Sequence, residues 1–165
     1  MKFNLIDRIE SVSDTRLVGF KYVSLAEEYL ADHFPSFPVL PGVLMLEAIT
    51  QAAGWLMHRN RQFSRSLAVL KEARNVKYGN FVAPGNCLRF EVDAVKISEE
   101  GGSFKATATV NDATAVSARL ELAYKNVSSV DKELAEIDRK LIAHNRSRWA
   151  LLNISEENTH GSVPR

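Results

Sequence analysis

One cysteine, Cys87, in 165 residues excludes an intrachain disulfide framework and fits a reducing compartment. An excess of either charge is missing too. The balance of 21 basic and 20 acidic side chains, formally +1, argues against wholesale nucleic-acid binding. No apolar run reaches the ~20 residues that a membrane span needs. The opening MKFNLIDRIE carries Lys2, Asp7, Arg8 and Glu10 where a secretory signal would have its apolar core, so the chain is read as cytoplasmic. No histidine or cysteine spacing matches a zinc or iron pattern, and neither metal nor cofactor is expected. What is present, 45% hydrophobic and 25% charged residues, suits one globular domain with a real core.

The stretch that organises the chain runs from residue 33 to 58, HFPSFPVLPGVLMLEAITQAAGWLMH. Pro35, Pro38 and Pro41 stiffen an extended lead-in, and Pro41 suits the start of a helix, where its missing N–H costs nothing. The helix that follows, ending near Asn60, is apolar on nearly every side, which fits burial in a core. Its polar residues Glu47, Gln51 and His58, with Gly54 between, fall on one stripe. A carboxylate on such a helix needs a partner, a proton or a task. His33, in the turn-rich segment ahead, is the natural partner, although a helix-edge carboxylate or a plain ion pair fits Glu47 equally well.

Elsewhere the pattern is of strands. Phe3–Ile9 reads as a short strand or turn leading into a strand over Arg16–Val23, and Ser24 with Glu27 has capping-box spacing. Leu67–Val76 and Leu88–Ile97 are further strands. Glu99–Gly102 reads as a hairpin turn whose glycines supply positive φ, and Asn111–Ala113 as a second turn. Period-two alternation through Phe104–Val110 and Val116–Tyr124 completes an antiparallel meander. One buried helix and a run of antiparallel strands give an α+β fold, with the sheet curled around the helix. Residues 1–126 are taken as the domain. Residues 127–154 are taken as an amphipathic helix, with Glu136 and Lys140 as an i, i+4 pair, packed on that domain or on a neighbouring subunit. Residues 155–165 are taken as a flexible tail.

HFPSFPVLPGVLMLEAITQ, His33 to Gln51, resembles the signature HFPGxPVMPGVLxxEAMAQ of the hot-dog-fold (3R)-hydroxyacyl-acyl-carrier-protein dehydratases of fatty-acid synthesis, the FabZ type. Leu5–Arg8 is similar to that family's LLVDR strand, and KYGNFVAPGNCL at 77–88 to its KFRRPVVPGDQL. The resemblance covers roughly residues 3 to 125. It departs at Asp32 and Ser36, where the family has glycine, at Gly79 and Asn80, where an arginine pair is common, and at Asn86. The family's N-terminal PHR segment is cut short, and the helix after residue 130 is additional.

Dehydrating a 3-hydroxyacyl thioester requires a base for the C2 proton, an acid for the departing hydroxyl, and a donor for the thioester oxygen. A neutral imidazole at His33 suits the base. Glu47, desolvated on an apolar helix, is expected to hold a proton and serve as the acid, and the resemblance implies the same pair. The backbone amides at Gly42 and Val43, at the positive end of the helix, would polarise the thioester carbonyl. Gln51, one turn past Glu47, would orient its carboxyl. Tyr78, Phe81 and Val82 are candidates for the acyl tunnel. By resemblance, His33 of one chain faces Glu47 of another in a homodimer, with a trimer of dimers allowed. The partner is acyl carrier protein, which is acidic, so a basic collar is expected from among Arg59, Arg61, Arg65, Lys71, Arg74 and Lys77. The fold also serves acyl thioesterases and coenzyme A thioester hydratases, and a non-catalytic carrier-binding subunit stays open as a reading.

Overall fold

The computed structural model describes residues 3–153. The expected flexible tail at 155–165 lies outside them. Six strands, β1 (Arg8–Val12), β2 (Arg16–Tyr22), β3 (Leu67–Tyr78), β4 (Cys87–Ile97), β5 (Gly101–Val110) and β6 (Ala113–Lys125), form one sheet in the order β1-β2-β4-β5-β6-β3. Every pairing is antiparallel. The helix α1 (Gly42–Asn60) sits against the inner face of this sheet. Ala48, Ile49, Ala52, Ala53, Leu56 and Met57 are fully buried there. Small residues at 48, 52 and 53 let the helix lie close to the strands, while Phe90 and Phe104 fill the space between. No helix among the described residues is long and apolar enough to cross a membrane.

The N-terminal segment departs from expectation. β1 begins at Arg8, later than the Phe3–Ile9 reading, because Leu5 and Ile6 are both buried in succession and the Leu5 N–H donates to the side chain of Gln51 instead of a neighbouring strand. Ser24 and Glu27 do not make a capping box. The Ser24 hydroxyl accepts from the Ala26 N–H, and the Glu27 carboxylate turns back to the buried Lys21 ammonium, which Asp7 also engages.

The hairpin before β5 is present, but its glycines work differently from the expected positive φ. Gly101 and Gly102 are already paired within the strand. A Cβ on Gly101 would stand 2.1 Å from the Leu122 carbonyl oxygen, so glycine here permits close approach of two backbones. The next hairpin does need left-handed backbone, at Asn111 (φ 48°) and Asp112 (φ 63°), a conformation both side chains tolerate.

The C-terminal helix, α2 (Ala135–Leu152), packs on its own domain. Trp149 lies 6.0 Å from Trp55 and 5.9 Å from Phe63 between ring centroids. Asn145 donates to the Ser66 carbonyl and Arg146 to that of Gln62. Asp138 fastens the start of the helix by accepting from the Val127 and Ser128 amides at 2.7 and 3.0 Å. Glu136 pairs with Arg139, one residue short of the expected Lys140.

Candidate functional site

The segment ahead of α1 is folded so that His33 is held at both ends. Its N–H donates to the Tyr29 carbonyl, its own carbonyl accepts from Val39, and its ring stacks on Phe34 with centroids 4.1 Å apart. The ring Nδ1 lies 3.0 Å from the Val39 carbonyl oxygen. A carbonyl only accepts, so Nδ1 carries the hydrogen and the neutral imidazole keeps its lone pair on Nε2. That is the protonation pattern a base requires.

α1 begins at Gly42 behind Pro41, with no side chain capping it. The amides of Gly42 and Val43 are at positions where a helix offers no carbonyl to receive them, and they sit at its positive end. The Tyr78 ring lies over this start; a Cβ on Gly42 would come within 3.1 Å of it. Val43, Phe34, Phe37, Tyr78 and Phe81 are all large and exposed, Phe81 by 70%. Phe37 and Phe81 meet edge to face. An aromatic patch of this kind around one titratable ring marks a binding surface. Phe81 thus meets the segment that carries His33, while Tyr78 lies over the helix start. Val82 is fully buried, and contributes through its carbonyl, which accepts the Leu40 N–H.

Glu47 is half-buried, and Gln51 donates to it at 3.0 Å. The remaining groups of that amide grip the N-terminal segment, donating to the Phe3 carbonyl and accepting from the Leu5 N–H. Glu47 therefore has a fixed orientation, as its spacing from Gln51 suggested. It opens into a cavity of about 250 Å³ whose lining does not include His33.

That cavity holds residues the sequence reading gave no role. His58, on the Glu47 stripe, is 7% exposed, and burial lowers its pKa to about 4. Its ring stacks on Phe63. His144, Asn145 and Arg148 reach the same cavity from α2. Only the i+11 spacing to Glu47 pointed at His58, and nothing local pointed at the α2 residues.

Half of the expected basic collar is engaged in ion pairs. Arg59 pairs with Asp14, Arg61 with Glu99 and Arg74 with Glu72, while Arg65 and Lys71 border a depression shared with Glu99 and Glu100. Gly79, where the family has arginine, has a steric reason: a Cβ there would stand 2.3 Å from the Thr114 carbonyl oxygen. Asn80 donates to that same oxygen.

The FabA-like domain family model matches residues 1–119. The chain is 34% identical over 121 residues to the 3-hydroxyacyl-[acyl-carrier-protein] dehydratase FabZ of Clostridium perfringens, covering 73% of this chain and 87% of that one. To the protein of the same name from Exiguobacterium sibiricum it is 38% identical over 124 residues, 74% and 89% of the two chains. Among solved structures, the dehydratase heterocomplex ApeI:P of Xenorhabdus doucetiae superposes with a TM-score of 0.67 at 22% identity, over 81% of this chain and 90% of that one. A hypothetical thioesterase from Streptococcus pneumoniae, solved with coenzyme A, superposes with a TM-score of 0.56 at 12% identity, over 72% and 85%. These two likenesses establish the helix-in-sheet hot-dog fold. The match to residues 1–119 and the identity to full-length relatives together establish that the chain belongs to the FabA-like family, as a FabZ-type member.

Proposed function

We propose that this chain dehydrates (3R)-3-hydroxyacyl thioesters, presented on acyl carrier protein, to trans-2-enoyl thioesters in cytoplasmic fatty-acid synthesis. The two halves of the site come from two subunits of a homodimer. The observation that carries this reading is the hydrogen bond from His33 Nδ1 to the Val39 carbonyl, which leaves the lone pair on Nε2 in the segment that leads into an uncapped helix start. His33 takes the C2 proton. The electron pair moves toward the carbonyl oxygen, where the Gly42 and Val43 amides stabilise developing charge. The pair then returns to form the C2–C3 double bond as the hydroxyl leaves, accepting the Glu47 proton to become water.

The shared site is supported by what one chain leaves open. His33 sits in an exposed aromatic patch, and Glu47 lines a separate cavity on a half-covered face of α1. In a homodimer a second copy supplies its own imidazole to that carboxyl, which one chain leaves without one. The test uses two variants, His33→Ala and Glu47→Gln. Each is expected to lose activity by orders of magnitude with the oligomeric mass unchanged. Mixed, they regain part of it, because a mixed dimer holds one complete site. No recovery despite demonstrated subunit exchange would refute the shared site. Near-ultraviolet absorbance of the enoyl thioester distinguishes dehydration from hydrolysis, which would release a free thiol.

A further inference from the structure

The cavity beside Glu47 is walled mainly by α1 and α2, with Phe3, Asn4 and Ala68 completing it. α1 supplies Glu47, Gln51 and His58, and α2 supplies His144, Asn145 and Arg148. The family match ends at residue 119, before α2 begins. The wall facing Glu47 is thus built by a helix beyond the shared domain.

The chemistry of that wall is unlike a slot for an alkyl chain. At about 250 Å³ the cavity is smaller than the roughly 300–1,000 Å³ of sites that enclose a drug-sized molecule, so it takes part of a substrate. His58 is more than nine-tenths buried in it, and its Nδ1 has no hydrogen-bond partner among the described residues. Arg148 is half-buried, and among the described residues neither a hydrogen bond nor an ion pair engages its guanidinium. Laying a bare hydrocarbon over that cation would remove its hydration and return nothing. An oxyanion would satisfy it with paired hydrogen bonds.

The position of the cavity says which part of the substrate enters, and here the argument rests on the dehydratase reading. With the thioester carbonyl at the Gly42 amide and the 3-hydroxyl at Glu47, whatever follows C3 runs into the space past Glu47. We infer that this cavity seats the distal end of the acyl chain, and that Arg148 makes the protein select a short 3-hydroxyacyl chain ending in a carboxylate over a long alkyl chain. Arg148 is in this sense a specificity residue supplied by α2.

Trp55 lines the cavity, so its fluorescence reports occupancy without any reaction. The probes are unreactive pantetheine amides of glutaric and decanoic acid. The full-length protein is expected to bind the glutaryl amide at least tenfold more tightly than the decanoyl amide. Arg148→Met should weaken the glutaryl amide tenfold or more and leave the decanoyl amide within twofold. Arg148→Lys, which keeps the charge, should retain most of the preference. Equal affinity of the wild type for both amides, or equal weakening of both by Arg148→Met, overturns the inference. Because this readout needs no turnover, a protein that dehydrates nothing yet shows the Arg148-dependent preference would sink the reaction and uphold the cavity.

Discussion

Acid should unfold this protein through His58, and by a predictable amount. The ring is buried and neutral, with its pKa lowered by desolvation from 6.5 to about 4, whereas in the unfolded chain it titrates near ~6.5. The unfolded state therefore takes up a proton first as pH falls, and the folded state loses stability from about pH 6.5 down to about 4, below which the loss is complete. Two and a half pK units at about 1.36 kcal/mol each give a total near 3 kcal/mol, of which about 2 kcal/mol has gone by pH 5. In urea, with a slope of about 2 kcal/mol per molar, that moves the midpoint down by about 1 M. Glu47, His144 and Arg148 share the cavity wall with His58, so the proper control changes His58 alone. His58→Phe keeps a flat ring against Phe63, on which His58 stacks, and removes the titration. Urea unfolding of both proteins at pH 7 and pH 5, at one protein concentration so that assembly contributes equally, isolates the difference. Equal losses in the two proteins would refute the assignment.

Other outcomes follow from the same geometry. Gly42→Ala should cut kcat by tenfold or more in the dehydration assay, because the new methyl meets the Tyr78 ring at 3.1 Å beside the amide proposed to receive the thioester oxygen; unchanged kcat would remove the helix start from the mechanism. Gly101→Ala should destabilise the fold by about 1–3 kcal/mol in urea, since its Cβ falls on the Leu122 carbonyl oxygen. The Ser128 and Ser66 side chains beside it, and then hydrogen bonds from the Ser128 and Val127 amides, hold the Asp138 carboxyl well below the usual carboxylate range. It therefore stabilises the fold above about pH 4 and ceases to as the pH falls further. Asp138→Asn should accordingly speed amide hydrogen exchange in α2 at pH 7, with the gap to wild type closing in strong acid.

The sequence reading located α1 to within a residue or two, because Pro41 announces its start and an apolar surface on nearly all sides demands a covering sheet. The meander of β4, β5 and β6 was equally legible from period-two alternation. Glu47 and Gln51 were paired by helical arithmetic alone. The errors share one origin, that distant backbone settled a local choice. Glu27 fits a capping box by spacing but is drawn to Lys21. Gly101 fits a turn but sits where another strand's carbonyl leaves no room. Phe3–Ile9 reads as a short strand or turn, but only Arg8 and Ile9 of it enter β1, and its start is held by a side chain of α1. The contribution of α2 to the Glu47 cavity had no sequence signal, since an amphipathic pattern says which face is covered and not what it covers.

The grip of Gln51 on the N-terminal segment has a practical corollary. A single amide ties the Phe3 carbonyl and the Leu5 N–H to Glu47, so anything fused ahead of residue 3 pulls on the same leash as the carboxyl. An affinity tag left at that end therefore acts on the amide that holds the Glu47 carboxyl, and kinetics are best compared after its removal.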